Sequence, residues 1–145
     1  MEKIDPKQLS PLVLAYIGDA VYELYVRLTM VQNNPTAKSR SLHKASTSLV
    51  RASSQAETLK KLLPLLTEEE MEQVKRARNC HVNHITRGAT RAEYQASTAF
   101  EALIGYLYLA NKQERLIEIL ANCASSEDPP EYPQFYNQAP QGDPE

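Results

Sequence analysis

The feature that most constrains this chain is a run of apolar residues near its start that recurs every three or four positions. Leu9, Leu12, Val13, Tyr16, Ile17, Ala20, Val21, Leu24 and Leu28 keep that spacing, which suits a helix and not a strand, whose side chains alternate with a period of two. Ser10 before Pro11 reads as an N-cap followed by proline at the first helical position. Asn33-Asn34-Pro35 closes the helix. A second helical region spans roughly Lys38 to Leu63, with a bend or break expected at Lys44–Thr47, where β-branched and hydroxyl residues cluster. Thr67-Glu68-Glu69-Glu70 has the capping-box form and opens a third helix running to about Arg78. Residues 79–90, with His81, Asn83, Thr86, Gly88 and Thr90, read as a polar, basic loop. A further helix carries Tyr94, Phe100, Leu103, Ile104, Leu107 and Tyr108, and a last one Leu116, Ile117, Ile119 and Leu120. No alternating pattern competes with these, and only 4 glycines are present. The expected fold is all-α, with 145 residues enough for one core and too few for two ordinary ones.

Charge divides the chain. The net of −2 conceals five acids after Cys123 (Glu127, Asp128, Glu131, Asp143 and Glu145) with no basic residue among them. Residues 1–123 carry 16 basic and 13 acidic side chains, a net of +3. Residues 124–145, rich in Pro and acids, are expected to form a disordered tail, with Tyr132, Phe135 and Tyr136 available to dock on the body. Within the body, Leu24–Ala56 holds Arg27, Lys38, Arg40, Lys44 and Arg51 and no carboxylate; residues 73–92 hold Lys75, Arg76, Arg78, Arg87 and Arg91 and again none. Such stretches are either solvated helix faces or a polyanion surface. Cys80 and Cys123 match no metal-ligand spacing and are too few for a disulfide framework. With neither an apolar leader nor an apolar run near twenty residues, a cytoplasmic protein with no membrane partner is expected.

Two helices share an oddity. The first is apolar nearly all round yet carries Asp19 directly after Gly18; the later one carries Glu101 with Gly105 a turn beyond. A helix apolar on all sides is expected to be buried, and an unpaired buried carboxylate costs several kcal/mol. A mid-helix glycine costs roughly 1 kcal/mol against alanine and marks close backbone approach. Two such acids need a cation between them, for which Mg²⁺ is the usual choice beside phosphate, or each needs an arginine or a helix to cap. Glu23 stands one turn after Asp19 and one before Arg27, so it either approaches the same place or pairs with Arg27. Tyr16 and Tyr22 read as core or dimer-contact aromatics. His43, His81 and His84 show no ligand spacing, and the last two, in the basic loop, suit contact with a polyanion.

The strings YIGDAVYELYVR (Tyr16–Arg27) and STAFEALIGYLYL (Ser97–Leu109), with SLVRASSQA (Ser48–Ala56) between them, resemble the signature helices of the ribonuclease III catalytic domain over residues 9–122. That family's motifs read roughly E-x-x-E-F-L-G-D-A-V and D-x-F-E-A-L-I-G-x-x-Y-L. Residues 1–123 are thus expected to form a catalytic domain with no double-stranded RNA-binding domain behind it, as in the Mini-ribonuclease III branch. The resemblance implies that Asp19 and Glu101 are the catalytic acids and ligands of Mg²⁺. The family's other acids fall on Leu12, Ala15 and Thr98, and none lies in Leu24–Ala56, so the implied metal site is reduced. Mg²⁺ tolerates this, since it keeps several waters and needs one or two protein carboxylates.

The same resemblance implies endonucleolytic hydrolysis of double-stranded RNA to 5′-phosphate and 3′-hydroxyl ends. It also implies a homodimer built on the first-motif helix, maturation of large-subunit (23S) ribosomal RNA, and a ribosomal protein as helper. For phosphate contacts the expected residues are Lys75, Arg76, Arg78, Asn79, Arg87 and Arg91, then Lys38, Arg40, Lys44 and Arg51. Competing readings are a non-catalytic RNA-binding protein of the same fold associated with ribosome assembly, and a dimeric helical scaffold.

Overall fold

Local signals place the helix ends. In the computed structural model, which describes residues 4–80 and 88–123, Ser10 Oγ accepts the Val13 N–H over 3.3 Å and opens α1 (Pro11–Asn33). It is followed by α2 (Ser39–Val50), α3 (Ala52–Leu62), α4 (Glu68–Arg78), α5 (Arg91–Leu109) and α6 (Gln113–Ala121), and no strand occurs among the described residues. Both hydrogen bonds of the Thr67/Glu70 capping box form, at 3.2 and 2.9 Å, and α4 ends at Arg78 as the sequence predicts. A second capping box, Thr90 with Glu93, opens α5.

The break between α2 and α3 falls at Arg51 and not at Lys44–Thr47. Ser46 and Thr47 turn their hydroxyls back onto the carbonyl of His43, at 3.0 and 2.8 Å, so these side chains are satisfied inside the helix they were expected to disturb. Arg51 takes an extended conformation (φ −67°, ψ 154°), and Ser54 Oγ donates across the break to the carbonyl of Ser48.

The core is organised around α5, which is buried from Ser97 through Leu107 except at Glu101. Ala99, Phe100, Ala102, Leu103, Ile104 and Leu107 have no exposed surface. They meet Leu14, Tyr25 and Val26 of α1, Leu59 and Leu62 of α3, Val74 and Ala77 of α4, and Leu116, Ile119 and Leu120 of α6. Tyr22 stands edge-on to Phe100 with ring centroids 4.8 Å apart, which settles it as a core aromatic. Arg115 joins α6 to α4 by two 2.9 Å bonds to the buried Glu70 carboxylate.

The all-round apolar character of α1 does not mean burial on every side. Leu14, Gly18, Val21, Tyr22, Tyr25 and Val26 face the core, whereas Leu12, Val13 and Tyr16 are 43%, 45% and 79% exposed, and Ala20 is exposed with them. Asp19 also lies on the exposed side, correcting the expectation of two buried acids; only Glu101 is largely enclosed. No helix among the described residues is long and apolar enough to cross a membrane.

Candidate active site

The site begins with two glycines. Helices α1 and α5 cross where Gly18 faces Glu101 and Gly105 faces Leu14. A Cβ on Gly18 would lie 1.7 Å from the Glu101 carbonyl oxygen, and one on Gly105 would lie 2.0 Å from the Leu14 carbonyl oxygen. Only hydrogen fits at either position. The close approach expected of mid-helix glycine is therefore present, and it sets Asp19, the residue after Gly18, against Glu101.

The two carboxyl groups are close enough to shift each other's titration. Burial pushes the Glu101 carboxyl up from its ordinary 4.5 to about 8, with the neighbouring Asp19 charge acting in the same direction. Asp19 is raised as well, by partial burial and then by Glu23. One proton between two acids, resident on Glu101, accounts for both directions. Glu23 itself turns to Arg27, with Oε1 and Nη2 2.7 Å apart, which is the simple i,i+4 pair of its two sequence readings.

Both acids open onto a cleft of about 560 Å³ lined also by Val50, Arg51, Ala52, Ser53, Gly88, Ala89, Tyr94 and Ser97. The α2–α3 break contributes to the lining, so Arg51, a second-rank phosphate candidate from sequence, shares the cleft with the acids. Ser97 Oγ lies 3.2 Å from Glu101 Oε1 and also within hydrogen-bond reach of Gln55 Oε1. Ser97, Gln55 and Tyr94 went unrecognised in the sequence. Ser97 had a signal, since it precedes Glu101 by one helical turn; Gln55 belongs to another helix and had none.

The remaining candidate residues divide. Lys75, Arg78 and Asn79 are exposed at the end of α4, Arg91 at the start of α5, and Lys38, Arg40 and Lys44 around and along α2. None of them lines the cleft. Arg76 is engaged within the chain: its guanidinium donates to the carbonyls of Leu9 and Lys7 and to Gln73 Oε1. That pins the N-terminal segment to α4 and removes Arg76 from the expected phosphate contacts. Arg87, His81 and His84 lie outside the described residues, as does the segment 124–145. His43 is exposed and borders a different groove, between α1 and α2.

Six α-helices among the described residues, with paired acids at a glycine crossing, have the make-up of a ribonuclease III catalytic domain, and the Ribonuclease III domain family profile matches residues 12–112. Among similar proteins is the Mini-ribonuclease 3 of Symbiobacterium thermophilum, 44% identical over 86% of this chain and 95% of its own length. The Mini-ribonuclease 3 of Clostridium tetani is 43% identical, covering 81% of this chain and 78% of its own. The chain belongs to the ribonuclease III family, in its Mini-ribonuclease 3 branch. A crystal structure of a Fusobacterium nucleatum protein superimposes with a TM-score of 0.72 at 35% identity, over 79% of this chain and 90% of that one.

Proposed function

We propose that this protein is a metal-dependent endoribonuclease that hydrolyses phosphodiester bonds in double-stranded RNA, with Asp19 and Glu101 holding Mg²⁺. The observation that carries the reading is the pair of carboxyls at the α1–α5 crossing, open to a cleft that Arg51 also lines. No group of three or more His, Cys, Asp and Glu side chains able to hold a metal occurs among the described residues. A two-carboxylate site nevertheless fits a hard ion that fills its other positions with water and phosphate oxygens. Sharing a proton is what two such acids do without a cation. The chemistry a bound Mg²⁺ supplies is neutralisation of phosphate charge and acidification of water. Asp19 and Glu101 would hold the ion as carboxylates, and Arg51 would meet phosphate.

RNA duplexes are recognised across a wide, shallow minor groove through phosphates, 2′-hydroxyls and shape. One small domain offers one cut, and two strands need two. The exposed apolar stripe Leu12, Val13, Tyr16 and Ala20 suits a homodimer about α1. Lys38, Arg40, Lys44, Lys75, Arg78, Asn79, Arg87 and Arg91 are further phosphate contacts, so duplex binding is salt-dependent. In this reading the enzyme acts in the cytoplasm, matures large-subunit (23S) ribosomal RNA with a ribosomal protein as helper, and leaves 5′-phosphate products.

The test is incubation of a long RNA duplex with wild type, Asp19→Asn and Glu101→Gln, with and without Mg²⁺. Cleavage that needs the ion and both acids is expected. Duplex binding without cleavage by wild type would identify instead a binding protein that keeps the fold.

A further inference from the structure

Ser97 has one hydroxyl hydrogen, yet two acceptor oxygens lie within its reach, Gln55 Oε1 and Glu101 Oε1. It cannot serve both. Gln55 is almost wholly buried, 1% exposed, and its Nε2 has no partner among the described residues. A buried amide N–H without an acceptor is among the rarer features of folded proteins. Both difficulties are removed by one change. The oxygen and nitrogen of an amide are interchangeable in shape, and turning the group over places Nε2 against Ser97 Oγ. Gln55 then donates to Ser97, and Ser97 is left to donate to Glu101. The oxygen that goes to the other side is the better tolerated of the two unpaired groups.

We infer that Gln55 and Ser97 form a directed hydrogen-bond chain, Gln55 Nε2–H to Ser97 Oγ–H to Glu101 Oε1, that positions Glu101 to bind a divalent cation. The inference rests on the metal reading of Asp19 and Glu101. It makes Ser97 and Gln55 positioning residues, since neither needs to touch the ion. The chain fixes one carboxylate oxygen of Glu101 and leaves the other for the ion. Partners of this kind typically affect metal affinity by about 10–100-fold. Because α3 carries Gln55 and also begins at the cleft wall with Ala52 and Ser53, the same helix sets both the wall and the acid's orientation.

The experiment is Mn²⁺ binding, read from the paramagnetic resonance of the free ion. It compares wild type, Ser97→Ala, Ser97→Thr, Gln55→Met and the Ser97→Ala/Gln55→Met double variant, with thermal unfolding of each and cleavage as a function of Mg²⁺. Ser97→Ala and Gln55→Met are each expected to weaken Mn²⁺ binding by about tenfold and to raise the Mg²⁺ needed for half-maximal cleavage. Ser97→Thr, which keeps the hydroxyl, is expected to recover most of the affinity. The double variant is expected to match Ser97→Ala alone, because Gln55 acts only through the hydroxyl. Wild-type affinity in Ser97→Ala, or an equal loss from Gln55→Met with and without Ser97, overturns the chain and leaves the metal reading standing. Should Gln55→Met fail to fold, the contrast of Ala with Thr at position 97 still decides whether the hydroxyl orients Glu101. A wild type that binds no Mn²⁺ removes the metal reading and this inference together.

Discussion

Replacing Gly18 with alanine tests the geometry on which the site depends. The new methyl would begin 1.7 Å from the Glu101 carbonyl oxygen and 2.8 Å from the Gly105 nitrogen, where ordinary contact starts near 3.4 Å. The obstructing atoms are backbone, so no side chain can swing aside, and the helices must part by roughly 1.7 Å. Overpacking typically costs about 1–3 kcal/mol, and a backbone clash belongs at the upper end. Alanine's helix propensity returns about 1 kcal/mol of that, leaving a net loss near 2 kcal/mol. For a domain of this size that corresponds to a fall in Tm of roughly 6–10 °C. Activity suffers more than stability, since a misplacement of about 1 Å can cost ~10²-fold in rate. Thermal unfolding followed by circular dichroism, with duplex cleavage measured well below the variant's Tm, separates the two effects. A Gly18→Ala protein that melts and cleaves like wild type would refute the claim that contact between these backbones sets the spacing of the acids.

Without metal, stability should fall as pH rises from about 4.5 to about 8, because folded Glu101 keeps a proton that the unfolded chain releases. The slope is at most about 1.4 kcal/mol per pH unit, and urea titrations in chelator should find it absent in Glu101→Gln. Arg51→Ala should lower the salt dependence of duplex binding by about one counterion. Arg76→Ala should leave that slope alone and lower Tm instead, because its donors hold Lys7 and Leu9; filter binding from low to high salt distinguishes them. Tyr16→Glu places a charge on a side chain 79% exposed in the monomer, so it should keep the helical spectrum while sedimentation shows a dimer turned into monomers. A Tyr16→Glu protein that remains dimeric rules out the α1 stripe as the contact.

What could be read from the sequence was local. The caps at Ser10 and Thr67, and the glycines at 18 and 105, act through neighbours within a turn or through the absence of a side chain, and each appears where expected. The α2–α3 break was misplaced because hydroxyls that disturb a helix in one rotamer satisfy it in another, as Ser46 and Thr47 do on His43. Asp19 reads as buried from the sequence because periodicity cannot distinguish a face turned to the core from one left exposed. Gln55 and Arg76 draw their roles from residues 42 and 67–69 positions away, and only the packing of α3 and α4 discloses those.

The glycine crossing has a mechanical consequence. Two rods in contact rock about the place where they touch, and a point on either rod moves in proportion to its distance from that pivot. Asp19 is one residue, about 1.5 Å along the axis, from Gly18, whereas the far end of α1 at Asn33 is about 22 Å away. A rocking motion that carries the helix end through an ångström or more barely changes the separation of the two acids. The carboxyls sit beside the pivot, so the outer parts of α1 can shift while the spacing of the two acids is held.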